Sequence, residues 1–425
     1  MNDQWNSPGL LSGYRALDLA DEKGLLCGKI LGDLGADVIK IERPGGDPAR
    51  DIGPFYKGIP DPEKSLFWFF TNTSKRGVTL NIETSDGREI FKRLVTTADF
   101  VIESFDPGYM DGLGLGYREI EKVNPGVIMT SITPFGQTGP YAHYKATDIV
   151  LWGLGGMQYT CGDPDRPPIR VSVPQAYFHG GAQGALGSMV AFYFRQTMGE
   201  GQHVDVSIQD ALPLTLQDAL SYWDMNRFNI TRAGAVLRRP RPQGDLLYGL
   251  VWPCKDGYVS WKHSLAGGAF AGHVTSTKNM LEMANRQGLA GDLMDYDWTR
   301  FNTDTVEQEV VDHQAGIFGR FFLSRTKAQL MQEAVERAYI LGPMNDVRDL
   351  LESPQLATRD YWTPVEHPEL GEVITYPGAP VKTSELPCRI WRRAPLIGEH
   401  NEEVYIGEIG LSREELSTLK AQGVI

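Results

Sequence analysis

Hydrophobic and polar positions follow two interleaved periods along the first part of the chain. YRALDLA (Tyr14 to Ala20), ADVIKIE (Ala36 to Glu42), FVIESF and VIMTSI (Val127 to Ile132) are short apolar runs with the length and composition of buried strands. Between them the period changes. GLLCGKILGDLG (Gly24 to Gly35) reads as a helix ended by glycine, DGREIFKRLVTTAD places Ile90, Phe91, Leu94 and Val95 on one helical face, and Tyr117 to Val123 reads as a further helix. Strand and helix in alternation predict a parallel sheet covered by helices, with ligands near the carboxyl ends of its strands.

The stretch RVSVPQAYFHGG (Arg170 to Gly181) reads as a short buried strand, a proline turn and the start of a helix. That arrangement holds one side chain at the edge of a sheet, and the residue there is Tyr177. From Phe178 to Arg195 the helix keeps Gly180, Gly181, Gly184 and Gly187. Each costs about 1 kcal/mol inside a helix, so the spacing predicts close backbone approach to a neighbour.

Thr231 to Gly244 is basic and irregular and suits a linker. LLYGLVWPCKDGYVSWK then alternates as strand, DG turn and strand, LEMANRQGL is helical, and KAQLMQEAVERA is helical again before a proline-rich tail of short strands and turns. The expected organisation is a large α/β Rossmann-like domain starting at 1–225, a small α+β domain over 226–325, and a return to the large domain over 326–425.

Composition narrows the function classes. A formal net charge of -13 argues against nucleic acid or an anionic membrane as a general partner. No apolar run is long enough to span a bilayer, and MNDQWNSPGL has neither the basic nor the apolar region of a signal peptide, so a cytoplasmic protein is expected. Cys27, Cys161, Cys254 and Cys388 lie far apart, with no zinc spacing, and read as reduced, mostly buried thiols. GLGLGY (Gly112 to Tyr117) lacks the GxGxxG spacing of a dinucleotide loop and reads as a turn before a helix; no Walker A motif is present.

LGADVIKIERPGGDPAR, KRGVTLNIETSDGRE, DPGYMDGLGLGY, NPGVIMTSITPFGQTGPY, GEGQHVDVSIQDAL, EHPELGEVITYPGAP and RRAPLIGEHNEEV, in this order from about residue 10 to Ile425, resemble the class III CoA-transferase family. The resemblance implies a large Rossmann-like domain built from both ends of the chain, a smaller inserted domain, and subunits interlocked like links of a chain. It implies CoA thioesters and free carboxylic acids as substrates, with no tightly bound cofactor and no metal. In the family an aspartate attacks the donor thioester, giving a mixed anhydride and then an aspartyl-CoA thioester from which CoA passes to the acceptor. Only a carboxylate can hold CoA in this way.

Aligned through RVSVP and GG, the family's aspartate falls on Tyr177. A phenol has no carbonyl carbon to join to the CoA sulfur, and its ordinary pKa near 10 leaves it protonated at neutral pH. The racemase branch is also disfavoured, since its histidine position is Thr147. The loop LADEKGLL is one residue short of the family pattern, and Gly112 replaces a family arginine. Positions that match the family's CoA-binding side are Arg43, Lys75, Arg76 and Phe105; Arg43 and Lys75 suit CoA phosphates and Phe105 suits the adenine.

The expectation is a chain without its own nucleophile, partnered in an interlocked heteromer by a homologous subunit that keeps the aspartate. Succinyl-CoA and benzylsuccinate are its candidate donor and acceptor, in aromatic compound degradation. Two alternatives stay open: a pseudoenzyme that binds acyl-CoA without turnover, and a transferase whose nucleophile has moved to Glu103, Asp148, Asp163 or Asp165. His179 reads as a structural donor, and His203 and Asp205 as structural residues.

Overall fold

The protein is described by a computed structural model covering residues 8–262, 271–379 and 381–425. Its first compact unit gathers residues 1–158, 170–228 and 354–425, and its second gathers 159–169 and 229–353. The expectation about the extreme N-terminus therefore falls largely outside the described residues.

The first unit is built on six parallel strands: β1 (Arg15–Asp18), β2 (Asp37–Glu42), β3 (Lys75–Thr79), β4 (Phe100–Glu103), β5 (Ile128–Thr133) and β6 (Gln202–Ser207). Their order is β3-β2-β1-β4-β5-β6, with Leu17 opposite both Ile39 and Val101. This is the Rossmann order. Alternate residues face opposite layers. Leu17, Ile39, Val78, Val101 and Met129 join a core with Ile90, Phe91, Leu94 and Val95 of the helix Ser85–Val95. Ala16, Val38, Ile102, Ile128 and Ile132 face the other way, toward the helices Leu25–Asp33 and Ala176–Met198.

The glycines of the long helix Ala176–Met198 bring it close to its neighbours. A Cβ on Gly181 would sit 2.8 Å from the Leu26 Cβ, and one on Gly184 would sit 2.6 Å from the Ile132 Cδ1. The C-terminal return is fastened to β3: the Thr79 N–H donates to Asn401 Oδ1 at 2.9 Å, and the Tyr405 hydroxyl donates to the Thr79 carbonyl at 2.8 Å.

The stretch before the long helix departs from the sequence reading. Arg170 to Val173 is exposed and irregular, not a buried strand. Its Val171 and Val173 alternate as a strand would, but no strand of the sheet pairs with them.

In the second unit, Val251–Cys254, Gly257–Trp261 and Leu341–Pro343 form an antiparallel sheet. Trp252, Trp261, Trp298, Phe318 and Phe322 fill its core, with the Trp261 and Phe318 rings 4.7 Å apart. The Thr231 to Gly244 segment contains the strand Val236–Arg239, paired with Leu246–Gly249, where the sequence suggested only a linker. The helix Lys327–Arg337 buries Leu330 and Ala334 in the tryptophan-rich core, so the return to the first unit comes at Pro354 and not at residue 326.

Candidate active site

Strand order reverses between β1 and β4, and the crevice outside the carboxyl ends of strands at such a switch point is where ligands bind in this architecture. The loop after β1 supplies Asp21 and Glu22, and the loop after β4 supplies Ser104 and Phe105. The Asp21 N–H donates to Ser104 Oγ at 2.8 Å and the Ser104 hydroxyl returns a hydrogen bond to Asp21 Oδ1 at 2.6 Å, fixing the two loops together. Lys23 pairs with Asp21.

Tyr177 is the second residue of the long helix. Asp148 fixes the helix start: its Oδ1 accepts the N–H of Gln175 at 3.0 Å and of Tyr177 at 3.3 Å. The Tyr177 hydroxyl faces the Ala146 carbonyl at 3.4 Å, a long contact. Burial and the neighbouring charges of Glu22, Asp148 and Asp21 push the phenol well above its usual range. The hydroxyl is therefore a protonated donor throughout the physiological range. Burial and Asp21 likewise push Glu22 up.

The four residues matched to CoA binding separate into two groups. Arg43, just beyond β2, is exposed, and its Nε donates to the Gly46 carbonyl at 3.2 Å. Phe105, just beyond β4, is half-buried with its ring 4.7 Å from that of Tyr109. Both stand at the carboxyl end. Lys75 does not present itself to a ligand: it is fully buried, and its Nζ donates to Asp18 Oδ2 at 2.7 Å, the Leu25 carbonyl at 2.9 Å and Asn72 Oδ1 at 2.9 Å. Arg76 lies at the amino end of the sheet, where it holds Asp37 at 2.6 Å and Glu403 at 2.8 Å and also pairs with Glu408. These two cations hold the fold together, a correction to the sequence expectation.

Two buried cations were not singled out from sequence. Lys40 and Arg50 are buried cations near Arg43, paired with Asp47 at 3.0 Å and Glu42 at 2.6 Å, and Arg50 lies over the Trp68 ring at 3.9 Å. Their burial follows from the acidic residues seven and eight positions away, a signal that local charge pairing could have given. Glu103 is buried, its Oε2 accepting the Phe105 N–H at 2.7 Å, and burial pushes its carboxyl up to about 7. It borders a cavity of about 810 Å³ lined also by Ser131, Tyr117 and His203. There Ser131 Oγ and His203 Nε2 lie 2.8 Å apart, so His203 is tied to the sheet.

The profile of CoA-transferase family III matches residues 11–401. The chain belongs to CoA-transferase family III. Subunit BbsE of the succinyl-CoA:(R)-benzylsuccinate CoA-transferase of Thauera aromatica is 35% identical, with 97% of this chain and 98% of that protein aligned. The succinyl-CoA:D-citramalate CoA-transferase of Chloroflexus aurantiacus is 31% identical, over 98% of each chain. A CaiB/BaiF family protein from Brucella suis superposes with a TM-score of 0.78 at 27% identity, covering 94% of this chain and 99% of that one.

Within this CoA-transferase family III chain, the carboxylates considered as relocated nucleophiles are engaged in the fold or belong to the second unit. Glu103 pairs in register with Ser131, on the sheet face opposite the one that packs the long helix. Asp148 holds the helix start, and Asp163 and Asp165 belong to the second unit. Cys27 is fully buried, and burial followed by the charge of Asp18 pushes its thiol up to about 12, which makes it inert. Among the described residues no cluster suited to a metal ion occurs, and no helix is long and apolar enough to cross a membrane.

Proposed function

We propose that this chain is the subunit of a heteromeric class III CoA-transferase that lacks its own nucleophile, and that an aspartate-bearing homologue in an interlocked cytoplasmic assembly carries the covalent steps. CoA passes from succinyl-CoA to a carboxylic acid of the benzylsuccinate type, in the breakdown of an aromatic compound. The observation that carries the reading is Tyr177 at the head of the long helix: a phenol held in its protonated form by burial and by neighbouring acids. It can neither attack a thioester as a carboxylate nor become the acyl half of a CoA thioester.

The likeness to a named subunit of a benzylsuccinate enzyme supports the heteromer and the substrates. The apolar outer face of the long helix supports a large subunit interface: Leu186, Val190, Tyr193 and Met198 are 57%, 62%, 74% and 62% exposed. On the CoA side, exposed Arg43 suits a phosphate and Phe105 suits the adenine. In the reaction the partner's carboxylate makes and breaks the acyl bonds, while this chain shapes the shared site and keeps a neutral hydroxyl where a second nucleophile would compete.

The test is to express the chain alone and with an aspartate-bearing homologue, and to follow CoA exchange and covalent CoA by mass spectrometry. Exchange only by the pair, with labelled CoA found on the partner alone, is the expected result. Turnover by the lone chain, or CoA attached to one of its own carboxylates, overturns the reading.

A further inference from the structure

The loop that follows β2 carries more buried charge than a surface loop needs. Arg43, Gly45 and Pro48 face solvent, while Glu42, Asp47 and Arg50 are buried among them. Lys40, on β2 and fully buried, pairs with Asp47 Oδ2 at 3.0 Å and donates to the Ala20 carbonyl at 2.5 Å. One ammonium therefore joins this loop to the one that bears Asp21 and Glu22. Glu42 accepts from Arg50 Nε at 2.6 Å and Nη2 at 2.8 Å, and its Oε2 also accepts the Asp47 N–H at 2.9 Å. The other Asp47 oxygen, Oδ1, accepts the Ala49 N–H at 2.8 Å and caps the turn Pro48–Asp51. At the outer edge the Gly46 N–H donates to the Arg43 carbonyl at 2.9 Å, and Arg43 Nε donates back to the Gly46 carbonyl at 3.2 Å. Gly46 has a φ of +100°, and a Cβ on it would sit 2.9 Å from the Ile397 Cδ1, so the turn lies tightly against its support.

Stability alone is a weak reason for these buried charges, since apolar side chains of like volume often serve a fold as well or better. What the charges add is direction, because each bond fixes a donor against an acceptor, and the series ends at Gly46, the neighbour of Asp47 that anchors Arg43. We propose that Lys40 and Asp47 are positioning residues for the contact between Arg43 and a phosphate of CoA. Neither residue touches CoA. Lys40 holds Asp47, Asp47 holds the backbone on both sides of Pro48, and the adjoining Gly46 carbonyl sets the guanidinium where the phosphate arrives. An arginine on a loose loop must be ordered as it binds, which weakens affinity; one already set in place meets the phosphate without that cost. The inference rests on the reading of Arg43 as a phosphate ligand and deepens it, by naming the buried pair through which the arginine is aimed.

The test is a double-variant cycle on the full-length chain, read by calorimetric titration with CoA and accompanied by thermal melts. Asp47→Asn keeps an Oδ1 acceptor for the Ala49 N–H and removes the charge that faces Lys40. It is expected to weaken CoA binding about fivefold, the equivalent of ordering one side chain. In an Arg43→Gln background it is expected to have no further effect, because nothing is left for the pair to aim. Should Asp47→Asn fail to fold, Glu63→Gln replaces it: Glu63 holds Arg50 Nη1 at 2.6 Å from the part-exposed end of the same network, and about a twofold loss is expected, again absent with Arg43→Gln. Equal losses in the two backgrounds overturn the proposal, since the pair would then support the fold and not the arginine. A variant of the pair that binds CoA as tightly as the parent overturns it too, and if Arg43→Gln still weakens binding, the phosphate reading survives that failure. A parent that binds no CoA, or an Arg43→Gln variant that binds it as tightly, removes the phosphate reading and the positioning with it.

Discussion

The two ends of the parallel sheet treat charge in opposite ways. At the amino end, Arg15 and Arg76 close on Asp37, with Glu403 and Glu408 brought in from the C-terminal return. Burial works against the Asp37 carboxylate, but the two guanidinium groups hold it below the usual range. At the carboxyl end Glu103 has a hydrogen bond from backbone and no ion pair among the described residues, and burial pushes it up to about 7. Arg43 there is exposed and unpaired by any carboxylate among the described residues. The amino end is neutralised internally and serves stability, while the carboxyl end, beside the internal pairs of Lys40 with Asp47 and Arg50 with Glu42, also keeps unanswered groups, as a ligand-facing edge must. Lys75 shows how sharply the division falls, since it was expected from the family resemblance to meet CoA yet points into the interior.

The largest effect is expected at that lysine. Burial lowers the Lys75 pKa and Asp18 acts against this, which is the signature of a charge kept only by its partner. Lys75→Met leaves Asp18 buried without a cation, a loss of about 3–5 kcal/mol. Urea unfolding should show it directly, and Lys75→Met with Asp18→Leu should recover part of the loss. A single variant as stable as the parent would mean Lys75 is free to serve a ligand after all.

How much of this division was legible follows from which signals are local. The strands Asp37–Glu42 and Ile128–Thr133 announced themselves as apolar runs, and Ile90, Phe91, Leu94 and Val95 fixed a helical face, because periodicity alone reports burial. The glycine spacing in the long helix predicted tight packing correctly, since a missing side chain has few other uses there. The direction of a charged side chain is different. Lys75 and Arg76 are adjacent in β3, so they face opposite layers, and neither layer can be chosen without knowing which helix covers it. Arg170 to Val173 failed for a related reason: alternation makes a strand only where another strand supplies hydrogen bonds.

The next effect is a pH dependence belonging to the carboxyl end. Glu103 has a folded value of about 7 against about 4.3 for an unfolded chain. Between those values the unfolded chain has released the proton that the folded one retains, so stability falls as pH rises through the window and levels off above it. The contribution approaches about 4 kcal/mol at most. Glu103→Gln keeps an acceptor for the Phe105 N–H and removes the titration. Unfolding free energies measured from pH 5 to pH 8 should slope less in the variant; identical slopes would remove Glu103 from the contrast. Asp37 has the opposite sign, its contribution being present above the unfolded carboxylate range and lost as pH falls below it.

The smallest effect is the sharpest discriminator, because it sets one arginine at each end against the other. Arg76→Gln breaks the contacts to Asp37 and Glu403, so it should lower stability by about 1–3 kcal/mol, partly masked by salt. Arg43→Gln removes an exposed cation held by a weak bond within its own loop, so stability should change by less than about 0.5 kcal/mol. Its consequence should appear in CoA binding, weakened about five- to tenfold by loss of one phosphate contact. Calorimetric titration of CoA beside thermal melts reads both quantities on both variants. Crossed outcomes, with stability lost at Arg43 and CoA affinity lost at Arg76, would mean that the ligand edge of this sheet lies at its amino end, against the strand order that places the switch point between β1 and β4.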